Sequence, residues 1–208
     1  MKTLPVGLPA PGSARRTPRW VRVPAVVAPA VLIAGWIVAA RLQRDPSRAS
    51  WATISELAAD YARHPEVMTS ALAITGLSLI AVAVGLRSVT DSGRVTLGVA
   101  GAGVLIVALC PLPRFAGLHS LAAGVAFLAL ALWPALGARP GVAPKAAMPA
   151  AGRATAVGCV LFAVLYAAPN LLGGFGIVER LFSGLGTVWV AVVAFDSVRA
   201  RPVVPPWR

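Results

Sequence analysis

Charge is what this sequence has least of. Lys, Arg, Asp and Glu make up 12% of its 208 residues, about half the share of an ordinary soluble domain. The shortage is uneven, with 19 basic residues against 7 acids. The interiors of the longest apolar runs carry no Asp, Glu, Lys or Arg. Proteins that move protons or ions across a bilayer keep ionisable side chains or broken helices near the midplane. Their absence argues against proton-coupled transport and leaves passage of a neutral solute open. The polar groups nearest mid-run are Thr75, Ser78, Tyr166 and Asn170.

Cysteine and histidine are equally sparse: Cys110 and Cys159, His64 and His119. A metal site needs three or four converging ligands, and no CxxC or HExxH spacing is present, so neither metal nor cofactor is expected. Cys110 falls at the end of one apolar run and Cys159 near the far end of another. At about 1.5 Å rise per residue the two stand roughly 15 Å apart along the membrane normal, too far for a disulfide, which needs Cα atoms within about 7 Å. Both read as small buried side chains. A G-x-S-x-G elbow is missing, and Ser120 beside His119 points about 100° away from it on a helix. No basic stretch is interleaved with aromatics as a single-strand nucleic-acid groove would be. The net charge of +12 therefore points to anionic lipid rather than nucleic acid. Lys and Asn are also rare, which we read as GC-rich bacterial coding.

Long apolar runs fill most of what remains. Six stretches approach the roughly 20 residues that a helix needs to cross a bilayer: about 23–42, 67–86, 95–112, 117–136, 154–172 and 179–198. The runs are continuous rather than alternating, so helices are expected and not a barrel. The fold class is all-α: a polytopic six-helix transmembrane bundle over 23–198. Residues 1–22, rich in Pro, Gly and Arg, read as a disordered basic cytoplasmic tail, and 199–208 as a second basic tail. Residues 138–152 read as a flexible linker between two three-helix halves without an internal repeat. Small residues four apart, Gly98/Ala102, Ala81/Gly85, Ala122/Ala126 and Ala154/Gly158, mark expected helix contacts.

Placing the N-terminus inside puts thirteen Arg and Lys in inner segments and six in outer ones. The positive-inside rule then sets both termini in the cytoplasm of a bacterial plasma membrane. A cleaved signal ending at Val38-Ala39-Ala40 is the rival for the first run, but that run exceeds the usual 7–15 residues. The expected partners are membrane lipids, with the Arg-rich tails and loops on the anionic inner leaflet. A homo-oligomer or a membrane-protein partner is open.

The longest outer loop, 43–65, has its own pattern. Thr53-Ile54-Ser55-Glu56 has the form of a capping box. Ile54, Leu57, Ala58 and Tyr61 follow at helical spacing, predicting a short external amphipathic helix over 54–63 with Trp51 as interfacial anchor. Further on, the apolar run after Glu179-Arg180 is only 15 residues, so the last helix begins at or before this pair. Ionisable residues at the edge of hydrocarbon are usually partnered, and Arg114, Arg63 or His119 could partner Glu179. Glu56, Arg63, Arg114, His119, Glu179 and Arg180 together form the candidate ligand-binding mouth.

Ile54-Ser55-Glu56-Leu57, Cys110-Pro111-Leu112-Pro113, Leu118-His119-Ser120 and Glu179-Arg180 carry a resemblance over about residues 20–198. The chain resembles the prokaryotic six-helix membrane family known as domain of unknown function 998. In that family the third span usually ends Phe-Pro with an Asp nearby, and here Cys110-Pro111 and Arg114 stand instead. The resemblance implies fold and location but no activity. The functional reading is a non-catalytic membrane protein whose outer polar mouth binds a lipid headgroup, a small molecule or a partner. An enzyme acting on lipid, with His119 and Glu179 as acid–base candidates, and a transporter of a neutral or lipid-like solute are the alternatives.

Overall fold

The computed structural model describes residues 17–137 and 175–199, and the described residues are helical with no strands. A 3-10 turn, Arg19–Val21, leads into α1 (Arg22–Arg41), so the helical path starts inside the stretch expected as tail. Two single-turn helices follow, α2 (Pro46–Ala49) and α3 (Ile54–Leu57). Then come α4 (Pro65–Gly85), α5 (Asp91–Leu109), α6 (Ala116–Gly137) and α7 (Phe175–Arg199). The expected linker 138–152, the span 154–172 with Cys159, and most of both tails lie outside the described residues.

Five of these helices are long and apolar enough to cross a membrane, among the described residues. Each carries large apolar side chains on its exposed face, such as Ile37, Leu77, Ile106, Leu128 and Leu185. A water-soluble protein of this size rarely exposes so much contiguous apolar surface. The protein is a multi-pass membrane protein.

Local chemistry sets the helix ends. Pro24 lies in the first turn of α1, where no intrahelical partner exists for the missing N–H. Pro65 opens α4 in the same way, behind His64 in the left-handed region at φ 62°. Thr90 caps α5, accepting the Gly93 N–H at 3.1 Å. Arg94 reaches back from α5 to the carbonyls that end α4, donating to Ala83 O at 3.0 Å and Val84 O at 2.9 Å. A cation on orphan helix carbonyls is favourable.

The helices pack in the order α6, α5, α4, α1, α7, while the α6 and α7 backbones stand farther apart and meet through side chains such as Phe127 and Phe182. Apolar helices gain little from leaving lipid, so close backbone approach supplies the cohesion. A Cβ on Gly76 of α4 would lie 2.7 Å from Gly101 O of α5, and one on Gly101 would lie 2.7 Å from Gly76 O. Gly103 meets Ala122 and Ala126 of α6, so one small-residue pair read from the sequence lies in a contact. The Gly98/Ala102 pair is split: a Cβ on Gly98 would meet Ala83 of α4 only at ordinary contact distance, 3.7 Å, and Ala102 is exposed. The close α4–α5 crossing uses the next glycine instead, because helix rotation and not spacing decides which small residue faces a neighbour.

The bundle has two ends. Residues 43–64 cover one, here termed the cap end. At the other, Arg22 lies over the Phe195 ring, 5.2 Å from its centroid, and Ser88 donates to Ser197 at 2.6 Å. The start of α1 and the finish of α7 therefore share the end opposite the cap. Filling the α4–α5 crossing should destabilise the fold: Gly101→Val is expected to cost about 1–3 kcal/mol through overpacking. Ala102→Val should stay within about 0.5 kcal/mol. Thermal midpoints in one detergent check both.

Candidate functional site

The cap is irregular chain, so its backbone groups need partners that a helix would have supplied. Gln43 ties its two feet together, donating to Ala39 O at 3.0 Å and Arg63 O at 2.7 Å and accepting the Arg63 N–H at 2.9 Å. Asp45 caps α2 by accepting the Arg48 N–H at 3.1 Å. The Ser47 hydroxyl and then that amide hold the Asp45 carboxyl below its usual range. Thr53 and Glu56 form the reciprocal capping box of α3: Glu56 N–H to Thr53 Oγ1 at 3.0 Å, Thr53 N–H to Glu56 Oε2 at 2.6 Å. The expected helix over 54–63 stops at Leu57. Beyond it, Asp60 turns its N–H to Leu112 O at 2.8 Å, which draws the chain out of helical register and onto the α5–α6 turn.

Three side chains from the long helices fasten this cap. Glu179 of α7, 5% exposed, accepts the Ile54 N–H at 2.8 Å. Arg180, the next residue, donates to Ala49 O at 2.9 Å, Ala52 O at 2.7 Å and Ser50 O. The Glu179 carboxyl thus meets the amino end of α3 and the Arg180 guanidinium the carboxyl end of α2, each supplying a partner for main-chain groups that a helix end leaves unpaired. Gly176 lets α7 come this close, since a Cβ there would overlap the carbonyls of Trp51 and Ala52.

His119 of α6 is the third fastening and is 3% exposed. Its Nδ1 lies 2.7 Å from Cys110 O and its Nε2 lies 2.9 Å from Ser55 Oγ. A carbonyl can only accept, so Nδ1 carries the proton. In the neutral imidazole Nε2 is then the acceptor, and the Ser55 hydroxyl donates to it.

Beneath the cap lies a slot of about 50 Å³ whose lining runs from Ile54, Ser55 and Glu179 down to Leu79, Leu130 and Thr187. From Glu179 to Thr187 is about 12 Å along α7 at 1.5 Å per residue. On α4 the lining reaches Leu79, about 21 Å from Pro65 at the same rise, so among the described residues it stops short of the far side of an about 30 Å hydrocarbon layer. Three of its hydroxyls are engaged with their own helices: Thr75 with Ala71 O at 2.7 Å, Ser183 with Glu179 O at 2.7 Å, Thr187 with Ser183 O at 2.9 Å; the fourth, Ser55, is engaged with His119. What remains of the wall is Ile, Leu, Val, Ala and Phe, with the Glu179 carboxyl at its cap end.

A family model described as protein of unknown function (DUF998) matches residues 26–196. The chain belongs to this family. The matched DUF998 region takes in the cap, its three fastenings and the slot. No curated protein and no solved structure matches the chain.

Of the six mouth residues named from the sequence, this DUF998 domain brings Glu179, Arg180 and His119 together on residues 49–56 and uses Glu56 inside the same segment. Arg63 and Arg114 do not join them. Arg63 is exposed and tied through its backbone to Gln43, and exposed Arg114 lies over its neighbour Phe115. Glu179 is held by a main-chain amide, not by one of the basic side chains expected as partners. Among the described residues no group of His, Cys, Asp and Glu could hold a metal. Sequence reasoning missed Ser55 and Gln43. Ser55 pairs with His119 across 64 positions, and its only signal was its place in one of the family-like motifs. Glu179→Ala leaves the buried Ile54 N–H unpaired and is expected to cost about 1–3 kcal/mol. Glu179→Gln keeps an acceptor and should cost less. Hydrogen exchange at Ile54 and the thermal midpoint check both.

Proposed function

We propose that this protein binds an apolar chain of a membrane lipid in the slot beneath its cap. The observation that carries the reading is the slot's mainly apolar wall. A path for a hydrated solute would need free polar groups and a continuation toward the far end. Here the described hydroxyls are all engaged, Ser55 by His119 and the others by their own helices, and the described lining stops short of the far end. The volume leaves room for part of one unbranched hydrocarbon chain. Exposed Glu56, Arg63 and Arg114 at the cap end would meet the polar headgroup.

The reading includes a six-helix bundle in the bacterial plasma membrane, with the short α3 and the rest of the cap on the outer surface and both termini in the cytoplasm. Support for a sixth crossing comes from its neighbours. α6 finishes opposite the cap, where Thr90 N–H bonds Gly137 O at 3.3 Å. α7 starts at the cap, where Gly176 packs on Trp51 and Ala52. The intervening residues include the apolar run 154–172. Support for the orientation comes from the excess of Arg and Lys in the segments opposite the cap, which would face anionic lipid.

Lipid bound to protein purified in mild detergent, measured by extraction and mass spectrometry, tests the reading. Wild type should carry close to one enriched lipid per chain. Ala123→Phe, which places a ring in the slot wall, should carry at least tenfold less at a similar thermal midpoint. A wild-type lipid profile equal to bulk membrane overturns it. A reporter fused to the C-terminus should read cytoplasmic, and an external reading overturns the orientation.

A further inference from the structure

We propose that Ser55 and His119 form a nucleophile–base pair that cleaves an acyl ester whose chain occupies the slot, a step that rests on the lipid-binding reading above. Activated serines share a structural signature: a hydroxyl within hydrogen-bond reach of a base, which is itself oriented by a third group. All three parts are here. Ser55 Oγ is 2.9 Å from His119 Nε2, and Cys110 O fixes the ring from the other side at 2.7 Å from Nδ1. The carbonyl takes the orienting place that a carboxylate holds in a Ser-His-Asp triad, selecting the tautomer in which Nε2 can accept a proton.

Position adds to geometry. Ser55 lines the slot, while His119 is bonded to it from behind and is not among the lining residues. A reacting ester would therefore meet the hydroxyl and not the base. His119 is almost wholly buried, at 3% exposure, so in the resting site Ser55 is the group that holds Nε2. The cap also holds the serine in place: Glu179 binds the preceding amide, Ile54 N–H, and the Thr53–Glu56 box closes the same turn. A serine needed only as a strut would not have to stand at the junction of a fixed imidazole and an apolar slot.

The step balances without a redox partner. Ser55 Oγ bonds to the ester carbonyl carbon as its proton passes to His119 Nε2. The C–O bond to the alcohol breaks, and the proton leaves with the alkoxide as an alcohol. Water, or a second alcohol, then attacks the acyl-serine. His119 takes a proton from it and returns it to Ser55 Oγ. With water the sum is ester plus water giving acid plus alcohol.

The test uses the full chain in phospholipid nanodiscs with two fluorophosphonate probes, one bearing an ethyl and one a decyl chain. Wild type should gain one probe mass on the peptide containing Ser55, at least tenfold faster with decyl than with ethyl. Ser55→Ala should gain none. His119→Gln can still accept from Ser55 and donate to Cys110 O, so it should keep the thermal midpoint and lose at least tenfold in labelling rate. Loss of rate without loss of stability separates a base from a strut. No mass gain at Ser55, or an undiminished rate in His119→Gln, overturns the pair even where enriched lipid is bound. Equal rates with both probes and no bound lipid overturn the slot reading and leave the pair standing.

Discussion

Irregular chain at the boundary of a bilayer must satisfy its own backbone, and that constraint organises the cap end of this molecule. Within the long helices each N–H has a carbonyl one turn away, and hydrocarbon offers no alternative. Residues 43–64 lack that provision. Their carbonyls at 49, 50 and 52 and their amide at 54 are met by two consecutive residues of α7, Arg180 and Glu179. An adjacent acid and base on a helix point about 100° apart. Here one of the pair reaches the start of α3 and the other the end of α2.

Much follows from this fastening. It brings α7 to the cap closely enough to require Gly176. It lays Ile54 and Leu57 over the buried cluster formed by Leu32, Met68, Leu72 and Val107, so the slot below has a roof. It also presents Ser55 to His119. Burial of two ionisable residues is costly unless hydrogen bonds compensate; main-chain groups of the cap meet Glu179 Oε2 and both terminal nitrogens of Arg180, while Arg180 Nε stays unpaired among the described residues. A polar element at this depth therefore reinforces the bundle instead of opening it.

Legibility followed the range of the interaction. Helix-length apolar runs and the Thr53–Glu56 capping box are encoded within a few residues, and the five described long helices and the box stand close to where the sequence puts them. The small-residue spacing gave a pattern but not a register: Ala122 and Ala126 face α5, whereas Gly101 serves where Gly98 was expected. Glu179-Arg180 was legible as a pair needing partners because ionisable residues at the hydrocarbon edge are expensive. Its partners were not legible, since they are backbone groups more than a hundred positions away and carry no side-chain signature.

By itself, the sequence determined that the chain is helical, that it is built to lie in a membrane, and that it belongs to the DUF998 family. Each of these is local: charge scarcity, apolar run length and short motifs act without reference to how helices turn toward one another. The tertiary structure alone decided that Gly76 meets Gly101, that Arg63 and Arg114 stand apart from Glu179, and that Ser55 meets His119 above an apolar slot. Those outcomes depend on the rotation and crossing of whole helices, which side-chain shape sets collectively and no single stretch of residues specifies.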